Sequence, residues 1–424
     1  MLGKHSKSSI VAVCLALAAS ACGSSGISQD TTTTSSSGTP QAEHTVALFS
    51  WWIAPGEAEA LQALIDTYKK EHPGARVTND GDASGNDAKA KLDMEIDASP
   101  PDLFQYNAYY VADLMKAHPG TVKPLDDFFA EPTLKAAVLP DVLANVTIDG
   151  HVSAMPVGLH RENSLFYSKQ IFAAQKLDPP KTLSEFLDAC QKLKAAGITP
   201  VAMGGQGWIM QKAFTEILQG AMGAELFKDF IARVKPTTDP DVKAAFMSAI
   251  DAFGTVMTDY VDADQIKNDK VGWTDAADAV HDGKAAMYLH GDWVKGYFVQ
   301  LGWSPGVDFG QIGGPGSSDL FWYGVDVFGL PEHAPHPADA RDFLAVIASK
   351  EGQVAFNRLK GSTPMRTDVR ADLDPLGQAT LDDLVNAKVR VPVFNRNEWD
   401  DACFQFSKDG DKEAFYQAFV TTPP

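Results

Sequence analysis

The chain has 424 residues, of which 45% are hydrophobic and 21% charged, with a formal charge of -19 at pH 7. That length allows two domains with sizeable cores, and so acidic a body argues against nucleic acid or an anionic lipid surface as partner. Its first apolar run, residues 10–19, is too short to span a bilayer, and no second long apolar stretch follows.

Lys4 and Lys7 precede that run, and Ser20, Ala21 and Cys22 follow it. A basic head, a short apolar stretch and small residues describe a bacterial secretory signal over residues 1–21. Cys22 stands where a lipoprotein signal peptidase needs a thiol, although Ala19 replaces the usual Leu three positions earlier. The expectation is a lipidated Cys22 and a protein held at the outer face of the cell membrane or in the periplasm. An ordinary cleaved signal with an incidental Cys is the plainer alternative. Residues 22–44 are rich in Ser, Thr and Gly, with Ile27 as the only large apolar residue. Such a segment buries too little to offset its ordering entropy and reads as a flexible tether.

The body begins with a short strand at Val46, Leu48 and Ser50, ending on Trp51-Trp52. Pro55, Gly56 and Glu57 open a helix whose Ala58, Leu61, Leu64, Ile65 and Tyr68 recur at helical spacing, and His72-Pro73-Gly74 stops it. A strand at 76–78, strand ends at Asp102 to Gln105 and Met155 to Val157, a helix over 183–196 and a strand at 200–203 follow. Beyond them come the Gly-rich turn 204–207, strands at 285–289 and 325–330, and a helix over 339–348. This alternation is the α/β class, in which ligands gather beyond the carboxyl ends of strands.

No G-x-S-x-G elbow, P-loop or H-E-x-x-H is present. Asp80, Asp82, Ser84 and Gly85 begin like a calcium loop, but Lys91 stands where the closing Glu belongs. The pairs Asp126-Asp127 and Asp400-Asp401 read as solvated surface. Cys14 leaves with the signal, so Cys190 and Cys403 remain. In an oxidising compartment they could pair, or both could be small buried apolar residues. No His or Cys stands at ligand spacing near either, and no metal or cofactor is expected.

What does stand out is a set of aromatic and polar residues where strands give way to loops: Trp51, Trp52, Gln105, Asn107, His160, Trp208, Asp292, Trp293 and Asp326. Indole rings cover the C–H faces of sugars, while polar and charged side chains satisfy their hydroxyls. A single Trp most often fills a core, but two neighbours on an extended chain point opposite ways and are hard to bury together.

At these residues the chain resembles the extracellular solute-binding proteins of ABC sugar importers, and most closely their bacterial glucose/mannose-binding members. The matching motifs are Phe49-Ser50-Trp51-Trp52, Glu57-Ala58-Glu59-Ala60-Leu61, Pro100-Pro101-Asp102-Leu103-Phe104-Gln105 and Pro156-Val157-Gly158-Leu159-His160-Arg161. Gly291-Asp292-Trp293-Val294-Lys295-Gly296-Tyr297, Phe328-Gly329-Leu330-Pro331 and Leu359-Lys360-Gly361-Ser362 continue the series. The resemblance implies a two-lobed periplasmic-binding-protein-like fold with a ligand cleft between the lobes, here expected as 45–157 with 290–333 and 158–289 with 334–424. It implies Trp51 and Trp52 lining the sugar site, with Trp208 and Trp293 as further stacking partners. Asp292, His160, Asp326 and Lys360 would be the main hydroxyl ligands, joined by Gln105 and Asn107. Lobe closure would be read by the permease of the importer, and a monomer, attached to the membrane only through its lipid, is the default. One departure concerns the sugar. Glucose-binding relatives carry a lysine where Leu92 stands, and Lys89 or Lys91 could replace it only by a shifted register. A lipid-anchored glycoside hydrolase would share the export signal and the aromatic cleft but needs two carboxylates facing one glycosidic bond; a glycan-binding surface protein, the third reading, predicts no cleft.

Overall fold

The computed structural model describes residues 44–81, 85–393 and 397–421. The expected signal, Cys22 and all of the tether but His44 lie outside the described residues, as do Asp82 and Ser84. Among the described residues, no helix is long and apolar enough to cross a membrane.

The expected opening forms as read. Strand β1 (Thr45–Phe49) leads into the helix Glu57–Glu71 and returns through β2 (Arg76–Asn79), which pairs parallel to β1. Gly56 caps the helix at φ 87°, a left-handed conformation that costs a residue with a Cβ, while the Glu59 carboxylate accepts its backbone N–H. Leu61, Leu64, Ile65 and Tyr68 face inward from this helix. Each such fully buried large side chain contributes about 1.5–3 kcal/mol relative to exposure.

Next comes β3 (Leu103–Asn107), parallel to β1, then a small hairpin of β4 (Thr147–Ile148) and β5 (His151–Val152). The long β11 (Leu320–Gly329) completes the first sheet. It runs antiparallel to β3 along one edge and to β6 (Met155–Arg161) along the other, and its first residues pair parallel with β12 (Val389–Pro392). All ten residues of β11 are buried, so the strand is covered on both faces and carries no alternation to announce it. That is why the sequence pattern suggests a start at Val325 when the strand begins at Leu320. The second sheet has the order β10 (Phe309–Gly313), β7 (Ser164–Ser168), β9 (Ala285–His290), β8 (Thr199–Val201).

The buried apolar side chains separate into two cores, one under each sheet, which makes the molecule two-lobed. The expected lobe boundaries are corrected by this packing. Val294, Phe298 and Phe309 belong to the second core, so the segment after β9 stays with the second lobe. Ala340, Phe343, Leu344, Ile347, Phe356, Leu381 and Leu384 belong to the first, so the helices Pro337–Ala348, Lys350–Lys360 and Pro375–Asn386 return to the first lobe. Only from Val389 does the chain rejoin the second. The reason is strand pairing: β9 is hydrogen-bonded to β7 and β8, whereas β11 is hydrogen-bonded to β3. The chain therefore crosses between lobes at 161–164, 313–320 and 386–389.

Cys190 and Cys403 are both free and buried in the second core. The disulfide reading gives way to the apolar one. Burial raises both thiols above their ordinary range, which keeps them neutral.

Candidate functional site

The crossing strands carry the site. His160 is the next-to-last residue of β6, and Asp326 lies in the middle of β11, the strand beside it. Asp292 follows β9 in the second lobe, at the start of the helix Trp293–Gln300. His160 Nδ1 lies 2.6 Å from Asp292 Oδ1 and His160 Nε2 lies 3.0 Å from Asp326 Oδ2, with all three side chains buried. Carboxylates only accept, so a ring with both nitrogens on carboxylate oxygens is a doubly protonated imidazolium. Burial and the nearby Lys360 work against that charge, but the two carboxylates outweigh them and raise His160 to about 9. The backbone N–H of Arg161 donates to Asp292 Oδ2 at 2.8 Å, and Asn107 Nδ2 donates to Asp326 Oδ1 at 2.6 Å. Five groups from β3, β6, β11 and the second lobe thus form one charge-assisted chain.

Lys360 ends the helix Lys350–Lys360, and its buried ammonium donates to Glu57 Oε1 at 2.9 Å. Burial lowers its proton affinity, but Glu57, Asp326 and Asp292 more than restore it. The ammonium lies 5.8 Å from the Trp52 ring centroid and 6.0 Å from that of Trp293, within cation–π range of both. Two close backbone approaches make this meeting feasible. A Cβ at Gly296 would stand 2.4 Å from the Leu359 carbonyl oxygen, and one at Gly56 would stand 3.2 Å from the Gly296 carbonyl carbon. The helix after Asp292 is therefore pressed against two helix ends of the first lobe.

The indoles differ in role. Trp51 is half-buried and edge-on to Tyr106 at 5.8 Å. Trp52 is 1% exposed and packs in the first core between Phe328 and Phe356, with its Nε1 unpartnered. The neighbouring pair thus divides as extended backbone requires, one indole into the core and one toward the surface. Trp293 meets His160 edge-on at 5.3 Å. Trp208 belongs to the first turn of the helix Gly207–Met222, donates from Nε1 to Gln206 Oε1, and lies 5.2 Å from the His290 ring. Gln105 is fully buried with both amide atoms unpartnered. It is two residues from Asn107 along β3 and so shares its face.

Two groups missed by sequence reasoning join this set. His290, the last residue of β9, is buried with neither ring nitrogen bonded, enclosed by Tyr288, Trp208, Trp273 and Trp293. Burial, then Lys212, holds it well below its usual range, so the ring is neutral. Its position directly before Gly291-Asp292-Trp293 was the available signal. Asp400, expected on the surface, is half-buried; burial pushes its carboxyl up to about 7, against the pull of Lys212.

Leu92 is fully buried in the first core, and Lys91 pairs with Asp80. Lys89, on the same helix Gly85–Glu95, stands 3.2 Å from the Tyr110 ring centroid and is lowered by burial to about 8. An open groove of about 1040 Å³ lies elsewhere, along Arg161, Lys181, Glu185, Gln311 and Asp383, and none of the ten expected site residues lines it. Among the described residues no aromatic side chain lines that groove, which suits a sugar far less than the indole-flanked cluster.

Known proteins agree with this architecture. The profile of the bacterial extracellular solute-binding protein family matches residues 54–354. An ABC transporter extracellular-binding protein of Pyrococcus horikoshii is 33% identical over 92% of this chain and 87% of its own. The xylose/arabinose-binding protein XacG of Haloferax volcanii is 28% identical over 85% of this chain and 78% of its own. Among solved structures, the bacterial solute receptor AcbH, described as exclusive for b-D-galactopyranose, superposes with a TM-score of 0.75 at 17% identity, covering 89% of this chain and 96% of that one. At that identity the likeness speaks for the fold. With the profile spanning most of the body and both lobes in place, the chain belongs to the bacterial extracellular solute-binding proteins.

Proposed function

We propose that this protein captures a sugar, a monosaccharide such as glucose, between its lobes and delivers it to the permease of an ABC importer. The observation that carries this reading is the buried, unpartnered Gln105 carboxamide on the Asn107 face of β3, within the set of indoles and fixed charges. A buried amide with no partner costs about 1–3 kcal/mol, a cost that a ligand hydroxyl would remove. Asp292, His160, Asp326, Asn107 and Lys360 would complete the hydroxyl partners, with Trp51 and Trp293 covering the sugar's faces and Trp208 extending the aromatic wall. The form closed around the sugar, with Asp292 and Trp293 of the second lobe against residues of the first, would be what the permease reads. Lipidation of Cys22 would hold a monomer at the membrane where that permease sits.

The glucose contact expected from a lysine at position 92 is replaced by a core leucine. Lys89 is the better substitute. It stands over Tyr110, whose ring adjoins Tyr106, which in turn meets Trp51. Catalysis has weak support, since Asp292 and Asp326 are both held by His160 and neither is free to act as an acid.

Thermal melting of the full chain against mono- and disaccharides tests the reading. A ligand at a hundredfold excess over its Kd adds about 2.7 kcal/mol of stability. One sugar should raise the midpoint, Trp51→Ala and Gln105→Ala should remove that shift, and chromogenic glycosides should stay intact. A panel without any shift would refute a monosaccharide ligand.

A further inference from the structure

At the opposite end of β1 from Trp51, three segments distant in sequence bring donor atoms together. His44 precedes β1, His72 caps the helix Glu57–Glu71, and Asp342 lies on the helix Pro337–Ala348. Among the described residues these form a group whose ligand atoms, one from each, all lie within 4.8 Å of one another. The nearest pair, His72 Nδ1 and His44 Nε2, is 3.4 Å apart. That is long for a hydrogen bond between two nitrogens. It equals the separation of two tetrahedral ligands about 2.0–2.1 Å from a zinc ion, which is about 3.3–3.4 Å.

Both rings are oriented from behind. His44 Nδ1 lies 2.8 Å from Asp339 Oδ1, and the other oxygen of that carboxylate accepts the Thr45 backbone N–H at 2.8 Å. Donation from Nδ1 leaves the Nε2 lone pair facing His72, the arrangement by which carboxylates orient metal-binding histidines. The His72 ring stacks on Tyr68 with centroids 4.4 Å apart and 26° between planes. Asp342 is exposed and lies one helical turn beyond Asp339, on the same side of its helix.

We propose that His44 Nε2, His72 Nδ1 and the Asp342 carboxylate bind one divalent cation of the zinc class, with Asp339 positioning His44. Two imidazoles and a carboxylate favour such an ion over calcium or magnesium. The ion fastens the residue just before β1, where the tether joins the body, to a helix end and to a second helix. Sequence spacing did not suggest it, because the ligands come from positions 44, 72 and 342.

The test uses the full chain stripped of metal with a chelator, then titrated with Zn2+ during thermal melting and with Co2+ during visible absorption. One equivalent of Zn2+ should raise the midpoint, and Co2+ should give a tetrahedral spectrum. His72→Gln and the exposed Asp342→Asn should remove both signals, and Asp339→Asn should weaken binding ten- to a hundredfold. Asp342→Asn leaves the metal-free fold intact, which keeps the result readable if His72→Gln is unstable. An unchanged midpoint in the parent protein, or a response in Asp342→Asn and His72→Gln equal to that of the parent, overturns the proposal. The sugar reading stands or falls separately.

Discussion

The phenylalanine cluster inside the second lobe and the cluster at the lobe crossing are both buried, but they are stabilised by opposite means. In the lobe, Phe214 packs against Phe253, Phe415 and Phe419 with centroids 5.4, 4.8 and 5.1 Å away. Such contacts are non-directional, so volume matters more than identity and a misfit costs in proportion to the cavity left. At the crossing, His160, Asp292, Asp326 and Lys360 are equally buried, yet each is held by direction and charge. A buried charge is costly without its partner. The comparison teaches that satisfaction, not burial, separates the two regions. The four phenyl rings carry no polar side-chain atom to satisfy, whereas the crossing contains Gln105 and His290, whose side-chain polar atoms are buried without a hydrogen-bond partner.

The largest expected break is on the apolar side. Phe214→Ala should cost about 3–5 kcal/mol, read as a fall in the denaturant midpoint, while sugar affinity in the still-folded fraction stays unchanged. An affinity loss there would mean that the two regions are not separable.

A smaller effect on stability, with a larger one on binding, comes from pH at the crossing. His160 is raised to about 9 in the folded protein, against an unfolded value of about 6.5. Its contribution is therefore fully present below about 6.5 and is lost as pH rises through about 9. The melting midpoint and sugar affinity should both fall between pH 7 and pH 9.5, and the imidazole signals followed by NMR should titrate in that window. His160→Asn should flatten both profiles; a parent profile already flat would mean His160 is not an imidazolium.

The smallest effect sharpens the comparison by removing a charge. Asp400 is raised to about 7, so the folded state holds its proton more tightly than the unfolded chain does. Ionisation in the unfolded chain then destabilises the fold progressively from about pH 4 until the folded group also ionises near 7. Asp400→Asn should raise the midpoint, by an amount that grows across that interval and is constant above it. An equal gain at pH 4 and pH 8 would remove the charge explanation.

Much of the architecture was legible along the chain. Pro55-Gly56-Glu57 marked a helix start that the Gly56 conformation confirms, and Thr182 with Glu185 forms the capping box of the helix Leu183–Ala195. His160, Asp292, Asp326 and Asn107 share one hydrogen-bonded chain, with Lys360 close enough to feel both carboxylates. Trp52 is different: it fills the first core, with its neighbour Trp51 nearer solvent. Trp208 was read at a strand end but sits in a helix's first turn, because the Gly-rich turn after β8 ends at Gln206 and the helix already begins at Gly207. His290 was passed over, since a polar residue closing an apolar strand does not reveal that four rings enclose it.

The amino-acid sequence by itself determined the element types, the acidic body, the candidate ligands and the leucine at position 92, because each follows from residue chemistry at short spacing. Tertiary structure alone decided which lobe each segment joins and which side chains meet. His160 and Asp292 are 132 residues apart, and His44 and Asp339 are 295 apart. Such pairs depend on which distant strands pair and which helices pack on them, and local periodicity cannot encode that choice of partner. The same pairing sets the burial of His160, and with it the charge that the imidazole carries.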